Sequence, residues 1–308
     1  MAARVPYETF NGARVKRVPH PGRRIALLAD REDLDPGVVA RILEALDRAA
    51  EFYASMTGRE PKPNRLHEGR ITVAEVEGIG GAAWAYLGET GIEIQPGFLD
   101  VMYRAVRDEG LFDQPLFYEL GRNYWLYERT LDVHPGSVAT GYAVYMRFLA
   151  MDAAGVRGAP YYGWTFDEFR ARVESLLDVL VARGGPDWTA LLAQTPVAVH
   201  TFEERGRTLP LSTADLIAAL FAKLSAAHGR IDERGIRANR GESAGRPKAD
   251  QGRIDFFRRF LRAADSLPRL VSHVGIADNI LRAASTAAGA DLTDEFRAWR
   301  WPIAARVS

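Results

Sequence analysis

Three side chains within Leu116-Phe117-Tyr118-Glu119-Leu120-Gly121-Arg122-Asn123-Tyr124-Trp125 can hold or move protons. On a helix Tyr118 and Arg122 are i,i+4 neighbours, and Glu119 sits beside both. One reading makes them a metal-free acid–base site: Glu119 accepts a proton, Tyr118 donates one, and Arg122 clamps a carboxylate or a developing oxyanion. The other makes them an internal salt bridge and hydrogen bond with no chemical task. At an ordinary pKa of about 4.3 Glu119 is a weak base. Arg122 would weaken it further, whereas burial would push the other way.

The same segment resembles the active helix of the gluzincin metallopeptidases, in particular the branch of enhancin-like and mucin-directed peptidases. There the helix typically reads HELGHNxW, with two histidines holding zinc and the glutamate between them as general base. Glu119, Leu120-Gly121, Asn123 and Trp125 match, while Tyr118 and Arg122 stand where the histidines would be. Thr140-Gly141-Tyr142-Ala143-Val144-Tyr145-Met146-Arg147 is similar to the family's EGxAxYxR stretch, with Thr140 in place of the third ligand, a glutamate. The run from Ala283 to Thr293, then Phe296 and Trp299-Arg300-Trp301-Pro302-Ile303, resembles the family's closing segment.

The resemblance implies a zincin-like α+β fold whose three metal positions are all substituted. A guanidinium has no lone pair, and phenol and hydroxyl are poor zinc ligands. Without zinc, no bound water has its pKa lowered from about 15.7 to about 7, so peptide hydrolysis loses its nucleophile. The chain is therefore expected to need no metal and no other cofactor. The leading expectation is a degenerate metallopeptidase that binds a peptide, a glycan or a small polar ligand in the former cleft. Thr140, Tyr142, Trp84 and Tyr86 would serve the ligand there. The alternatives are a metal-independent enzyme using Glu119, Tyr118 and Arg122 for elimination, isomerisation or cyclisation, and a metallopeptidase with non-standard ligands.

Other chemistry finds little footing. The chain has no cysteine, which excludes thiolate metal sites and thiol nucleophiles. His20, His67, His134, His200, His228 and His273 show no ligand spacing; His134 lies in the 132–136 loop, and His228 suits a helix C-terminus. No triad surrounds Ser137 or Ser285. Gly78-Ile79-Gly80-Gly81 precedes a strand, the wrong context for a dinucleotide site, and is expected to be a hairpin or bulge.

The elements that must position these groups can be read from periodicity and punctuation. Residues 14–18, 23–28, 70–76, 82–87 and 91–94 have strand character, with a turn at Pro19-His20-Pro21-Gly22 and a hairpin loop at Gly88-Glu89-Thr90. Asp35-Pro36-Gly37 opens a helix with Val38, Ile42, Leu43, Leu46 and Ala49 on one face. From residue 97 onward the pattern is helical. Asp113 is placed to cap the site helix, and Thr165 with Glu168 and Ser212 with Asp215 fit capping boxes. Residues 230–250, polar and Gly-rich, read as a long loop. The expected organisation is a mixed sheet with a packed helix over residues 1–110 and a mainly helical part over 111–308. Together they would make one compact unit with a cleft beneath the Trp84–Tyr86 hairpin.

Composition sets the outer limits. The 308 residues are 47% apolar and 26% charged, enough to bury a core without cross-links. Forty basic residues balance 40 acidic ones, so no general attraction to nucleic acid is expected. No apolar run reaches the roughly 18 residues of a membrane span, so no membrane partner is expected either. Oligomeric state is left open. The N-terminus as written has no apolar signal region, which makes a cytoplasmic location the expectation if that terminus is native.

Overall fold

The computed structural model describes residues 3–133, 136–193, 195–229, 248–270, 272 and 274–303. In chain order it begins with β1 (Val5–Glu8), β2 (Arg14–Pro21), β3 (Ile25–Ala29), α1 (Pro36–Thr57), β4 (Leu66–His67), β5 (Arg70–Glu75), β6 (Ala83–Ala85) and β7 (Ile92–Ile94). Next come α2 (Pro96–Asp108), β8 (Leu111–Phe112), α3 (Pro115–Asn123), α4 (Ser137–Ala154), β9 (Arg157–Gly158), α5 (Phe166–Ala182) and α6 (Trp188–Leu192). The chain closes with β10 (Ala198–Glu204), β11 (Arg207–Ser212), α7 (Thr213–His228), α8 (Lys248–Asp265), α9 (Val274–Ala288) and α10 (Thr293–Ala298). This is an α+β architecture, with an N-terminal mixed sheet and a mainly helical C-terminal part.

The chain sorts into two units, residues 1–126 with 146–169, and residues 127–145 with 170–308. The site helix α3 thus belongs with the sheet, where the expected division at residue 110 had separated them. In the first unit the strand order is β1-β2-β3-β5-β7-β6, with β4 on β5. The β3–β5 and β5–β7 pairs are parallel, and the others along that order are antiparallel. β3 reads Ile25-Ala26-Leu27-Leu28-Ala29 and is buried throughout, the signature of a strand covered on both faces. α1 packs against β3. Asp35 starts α1 by accepting from the Gly37 and Val38 N–H groups, and Gly58 at φ 69° ends it.

Asp47, buried on α1, holds the turn into β3 by accepting from the backbone N–H groups of Arg23 (2.7 Å), Arg24 (2.8 Å) and Ile25 (2.8 Å). Asp47→Ala strands three donors and is expected to cost about 3 kcal/mol in urea denaturation. A loss below roughly 1 kcal/mol would show that water replaces the carboxylate.

Several expectations shift. β2 runs through Pro19 and Pro21, where a turn was expected. The two prolines are two residues apart, so their missing donors point the same way, along a stretch that pairs with β3 but not β1. Gly78–Gly81 connects β5 to β6 as a loop, because β7 lies between those strands and no hairpin can form. Asp113 accepts from the Gln114 N–H (2.8 Å), and Gln114 stands at the N-cap without a side-chain cap. β8, β9 and the β10–β11 hairpin interrupt the region read as wholly helical. The Arg205-Gly206 turn, with φ 52° and 74°, is a weaker hairpin signal than Asn-Gly.

In the second unit α7 packs on α8 and α8 on α9. Tyr145, Phe221, Phe257 and Phe260 form its aromatic core. The Trp188 and Trp301 indoles donate to Trp299 O (2.8 Å) and Ala277 O (2.9 Å), tying the last described residues into the helices. Both expected capping boxes are present. Residues 230–247 of the expected long loop, and His134 and His273, lie outside the described residues; 248–250 begin α8. No helix among the described residues is long and apolar enough to cross a membrane.

Candidate functional site

The site is built in the first unit, where the C-terminal half of α3 is fastened to the β6–β7 hairpin. The Asn123 amide donates to Tyr86 O and Gly91 O (both 3.1 Å), and Gly88 N–H caps Arg122 O (3.1 Å). From α1 the Tyr53 hydroxyl donates to Phe117 O (2.7 Å), its ring lying against Gly121. A Cβ at Gly121 would come within 3.1 Å of the Tyr53 hydroxyl, which is a packing reason for the Leu120-Gly121 pair.

These contacts hold Glu119 with only 6% of its surface exposed. Its carboxyl accepts from the Ala85 N–H of β6, and Oε2 lies 3.3 Å from Arg122 Nε. That approach is not aligned for a hydrogen bond; among the described residues neither Glu119 Oε2 nor Arg122 Nε has a hydrogen-bond partner. Arg122 Nη1 donates to the Tyr118 hydroxyl at 3.4 Å, a long contact.

Burial is the larger effect on Glu119. It pushes the carboxyl up from 4.5 to about 8, against the pull of Arg122 and the Ala85 N–H. The neutral acid therefore dominates at pH 7, and the group expected as a proton acceptor is first a donor. Burial also raises the Tyr118 phenol, with Arg122 and Arg147 opposing. Arg147, from the part of α4 in this unit, lies 5.8 Å from the centre of the Tyr118 ring and 5.1 Å from those of Phe148 and Phe169. Asp113 is likewise raised by burial and lowered by the Gln114 N–H and Arg147.

Beside this cluster runs β6, the last strand of the sheet. Gln95 N–H donates to Ala82 O, so alternation makes Trp84 and Glu93 the next bonded pair. Ala83 and Ala85 then turn their backbone groups away from β7, in keeping with the Ala85 bond to Glu119. Trp84 is 48% exposed and forms an aromatic trio with Tyr86 and Phe10, at 4.4 Å between Phe10 and Tyr86. Phe10 is set by its N–H bond to buried Glu93 (2.6 Å), which the Tyr7 hydroxyl also contacts (3.3 Å). Burial raises the Glu93 carboxyl.

The structure thus brings Tyr118, Glu119 and Arg122 together and fastens the Trp84–Tyr86 strand to them. Thr140 and Tyr142 fall in the second unit. Thr140 donates to Gly136 O (3.0 Å), a bond back to the residue just ahead of its helix. Tyr142 is fully buried between Tyr127 and Phe257 and is a core residue with no surface for a ligand. Sequence reasoning missed Phe10, because a lone aromatic before Asn11-Gly12 signals only a turn, and the Ala85 N–H, because a backbone donor leaves no trace in residue types. Arg147 was visible only as the last letter of a motif.

A cavity of about 400 Å³ lies elsewhere in this unit, lined by Arg23, Arg24, Glu60, Leu66 and Ile71 among others. Its arginines are paired, Arg23 with Glu51 (2.5 Å) and Arg24 with Glu60 (2.6 Å), so it offers no net charge.

No protein-family model matches the chain, and no curated protein is found similar to it. A conserved protein of unknown function from Bacillus anthracis str. Ames superposes with a TM-score of 0.54 at 14% identity, and a mutant of such a protein from the same organism with 0.55 at 14%. In both cases the match covers 94% of this chain and 49% of the other. The chain therefore spans about half the length of the solved structures it resembles, and at this identity the likeness concerns the fold alone.

Proposed function

We propose that this chain is a zincin-like protein without a catalytic metal that binds a peptide, a glycan or a small polar ligand along α3 and the edge of β6. The Glu119 carboxyl carries this reading. It is buried with one backbone donor and an Oε2 that no hydrogen bond satisfies, and the exposed Trp84 lies one residue from that donor. A salt bridge that merely plugged a cavity would be aligned and satisfied. The three positions where the resemblance calls for metal ligands hold a phenol, a guanidinium and a hydroxyl, a set that does not fit zinc. Among the described residues no group of three His, Asp or Glu side chains is arranged to hold a metal ion.

Calorimetry with neutral blocked tetrapeptides and neutral oligosaccharides tests this reading. One of the two classes should bind the wild-type protein. Trp84→Ala should weaken binding about tenfold through lost stacking, without loss of stability, since the indole is half-exposed. Absence of binding by both classes and by sulfate as a small polar ligand, or equal binding by Trp84→Ala, would sink it.

The Glu119 carboxyl at about 8 favours a second reading, proton transfer with Glu119 as acid near neutral pH and Tyr118 beside it. Conversion of a bound ligand, followed by mass spectrometry and abolished by Glu119→Gln with affinity retained, would select it.

A further inference from the structure

Resting on the binding reading above, we infer that the ligand taken at α3 carries an anionic group, a carboxylate, sulfate or phosphate ester, held by the Arg122 guanidinium. Arg122 keeps only 19% of its side chain exposed, and its ion-pair neighbour is Glu119. Burial keeps that neighbour largely protonated at neutral pH. A guanidinium carries its charge at any working pH, so Arg122 is a largely buried cation beside a largely neutral carboxyl. Such a charge is costly to leave uncompensated, and an entering anion compensates it.

Arginines elsewhere in this unit show the contrast. Arg17 meets Asp30 at 3.1 Å, Arg24 meets Glu60 at 2.6 Å, and Arg31 meets Asp100 at 2.7 Å. Those carboxylates are partly exposed, whereas Glu119 is not. Arg122 spends one N–H on a long contact to Tyr118 and its buried Nε faces Glu119 Oε2 at 3.3 Å, so an oxyanion would be met by the remaining Nη hydrogens. Arg147 adds positive potential from beyond the Tyr118 ring, whose centre lies 5.9 Å from the Arg122 guanidinium and 5.8 Å from that of Arg147.

Glu119 makes the contact depend on pH. As a neutral acid it can donate a hydrogen bond to the anion; ionised, it repels the anion and pairs with Arg122 itself. Among the described residues Arg122 is the charged group that acts on it directly; the other titratable groups on the elements packed here are Tyr118 on α3, Tyr53 of α1 at Phe117 O, Arg147 of α4 over the Tyr118 ring, and Asp113 ahead of α3. β6 contributes a backbone N–H, and the Glu93 side chain of β7 is bonded to Tyr7 and Phe10.

Calorimetry with sodium sulfate on the full chain, at fixed ionic strength, tests the inference, because neither sulfate nor arginine titrates between pH 6 and 9. Sulfate should bind one site, at least about fivefold more weakly at pH 9 than at pH 6. Glu119→Gln should still bind and lose that pH dependence. Arg122→Gln should weaken binding about tenfold or more, while Arg122→Lys, which keeps the charge and guards against a folding defect, should retain part of it. Arg23→Gln, at the paired cavity, should change nothing. Absence of sulfate binding by the folded wild type, or binding that Arg122→Gln leaves intact, would overturn the anion assignment. If neutral peptides or oligosaccharides still bind with Trp84 dependence, only the anion assignment falls; if they fail as well, the binding reading falls with it.

Discussion

Replacing Glu119 by glutamine is expected to remove a slope of stability against pH that the wild-type protein shows between about pH 4.5 and pH 8. The carboxyl has its ordinary value of 4.5 in the unfolded chain and about 8 in the folded one. Below the lower value both states hold the proton. Between the two only the folded state holds it, so stability falls as pH rises, by up to about 1.4 kcal/mol per pH unit. Above the upper value both states have lost it and the curve is flat. The contribution is thus fully present in acid and lost as pH passes through the folded value, about 5 kcal/mol in all. Glutamine has no proton to exchange. The difference between wild-type and Glu119→Gln stabilities, from urea denaturation at several pH values, should therefore carry the whole slope, while Glu93 and Asp113 are common to both proteins and cancel. A flat difference, or a variant that loses most at high pH, would mean that the ionised carboxylate is stabilised by Arg122 and that the burial argument fails.

Gly141→Ala on α4 should cost about 3 kcal/mol, although helix propensity alone favours alanine by about 1 kcal/mol. A Cβ at Gly141 would lie 2.5 Å from Ile217 Cβ, 2.6 Å from its Cγ2 and 2.8 Å from Ala214 O on α7. A β-branched side chain and a backbone carbonyl cannot swing aside, so the two helices would have to separate. Gly97 on α2 meets nothing within 4 Å and is the control: Gly97→Ala should be neutral or slightly stabilising. Urea denaturation of both variants decides between packing and propensity. A Gly141→Ala protein as stable as the wild type would show that the α4–α7 approach relaxes freely.

How far the sequence reaches can be judged at the same residues. Periodicity and caps are local, so α1, opened by Asp35-Pro36-Gly37, was legible within a few residues, as were the Thr165–Glu168 and Ser212–Asp215 boxes. β1 and the β10–β11 hairpin were not, because short strands without strong turn signals owe their formation to partners. Tyr142 was misjudged because residue type does not show which face of a helix is covered.

The sequence by itself determined that Tyr118, Glu119 and Arg122 share one helix face, that no thiol chemistry is available, and that a mixed sheet precedes the helices. These follow from side-chain chemistry and from repeats of two and 3.6 residues. Only the tertiary structure decided which protonation state Glu119 holds, because Arg122 and burial act in opposite directions and their balance depends on how much water the β6 hairpin and α1 exclude. It also decided that Trp84 stays exposed with Phe10 beside it while Tyr142 does not. Burial is set by chain segments far apart in sequence, and no local pattern contains it.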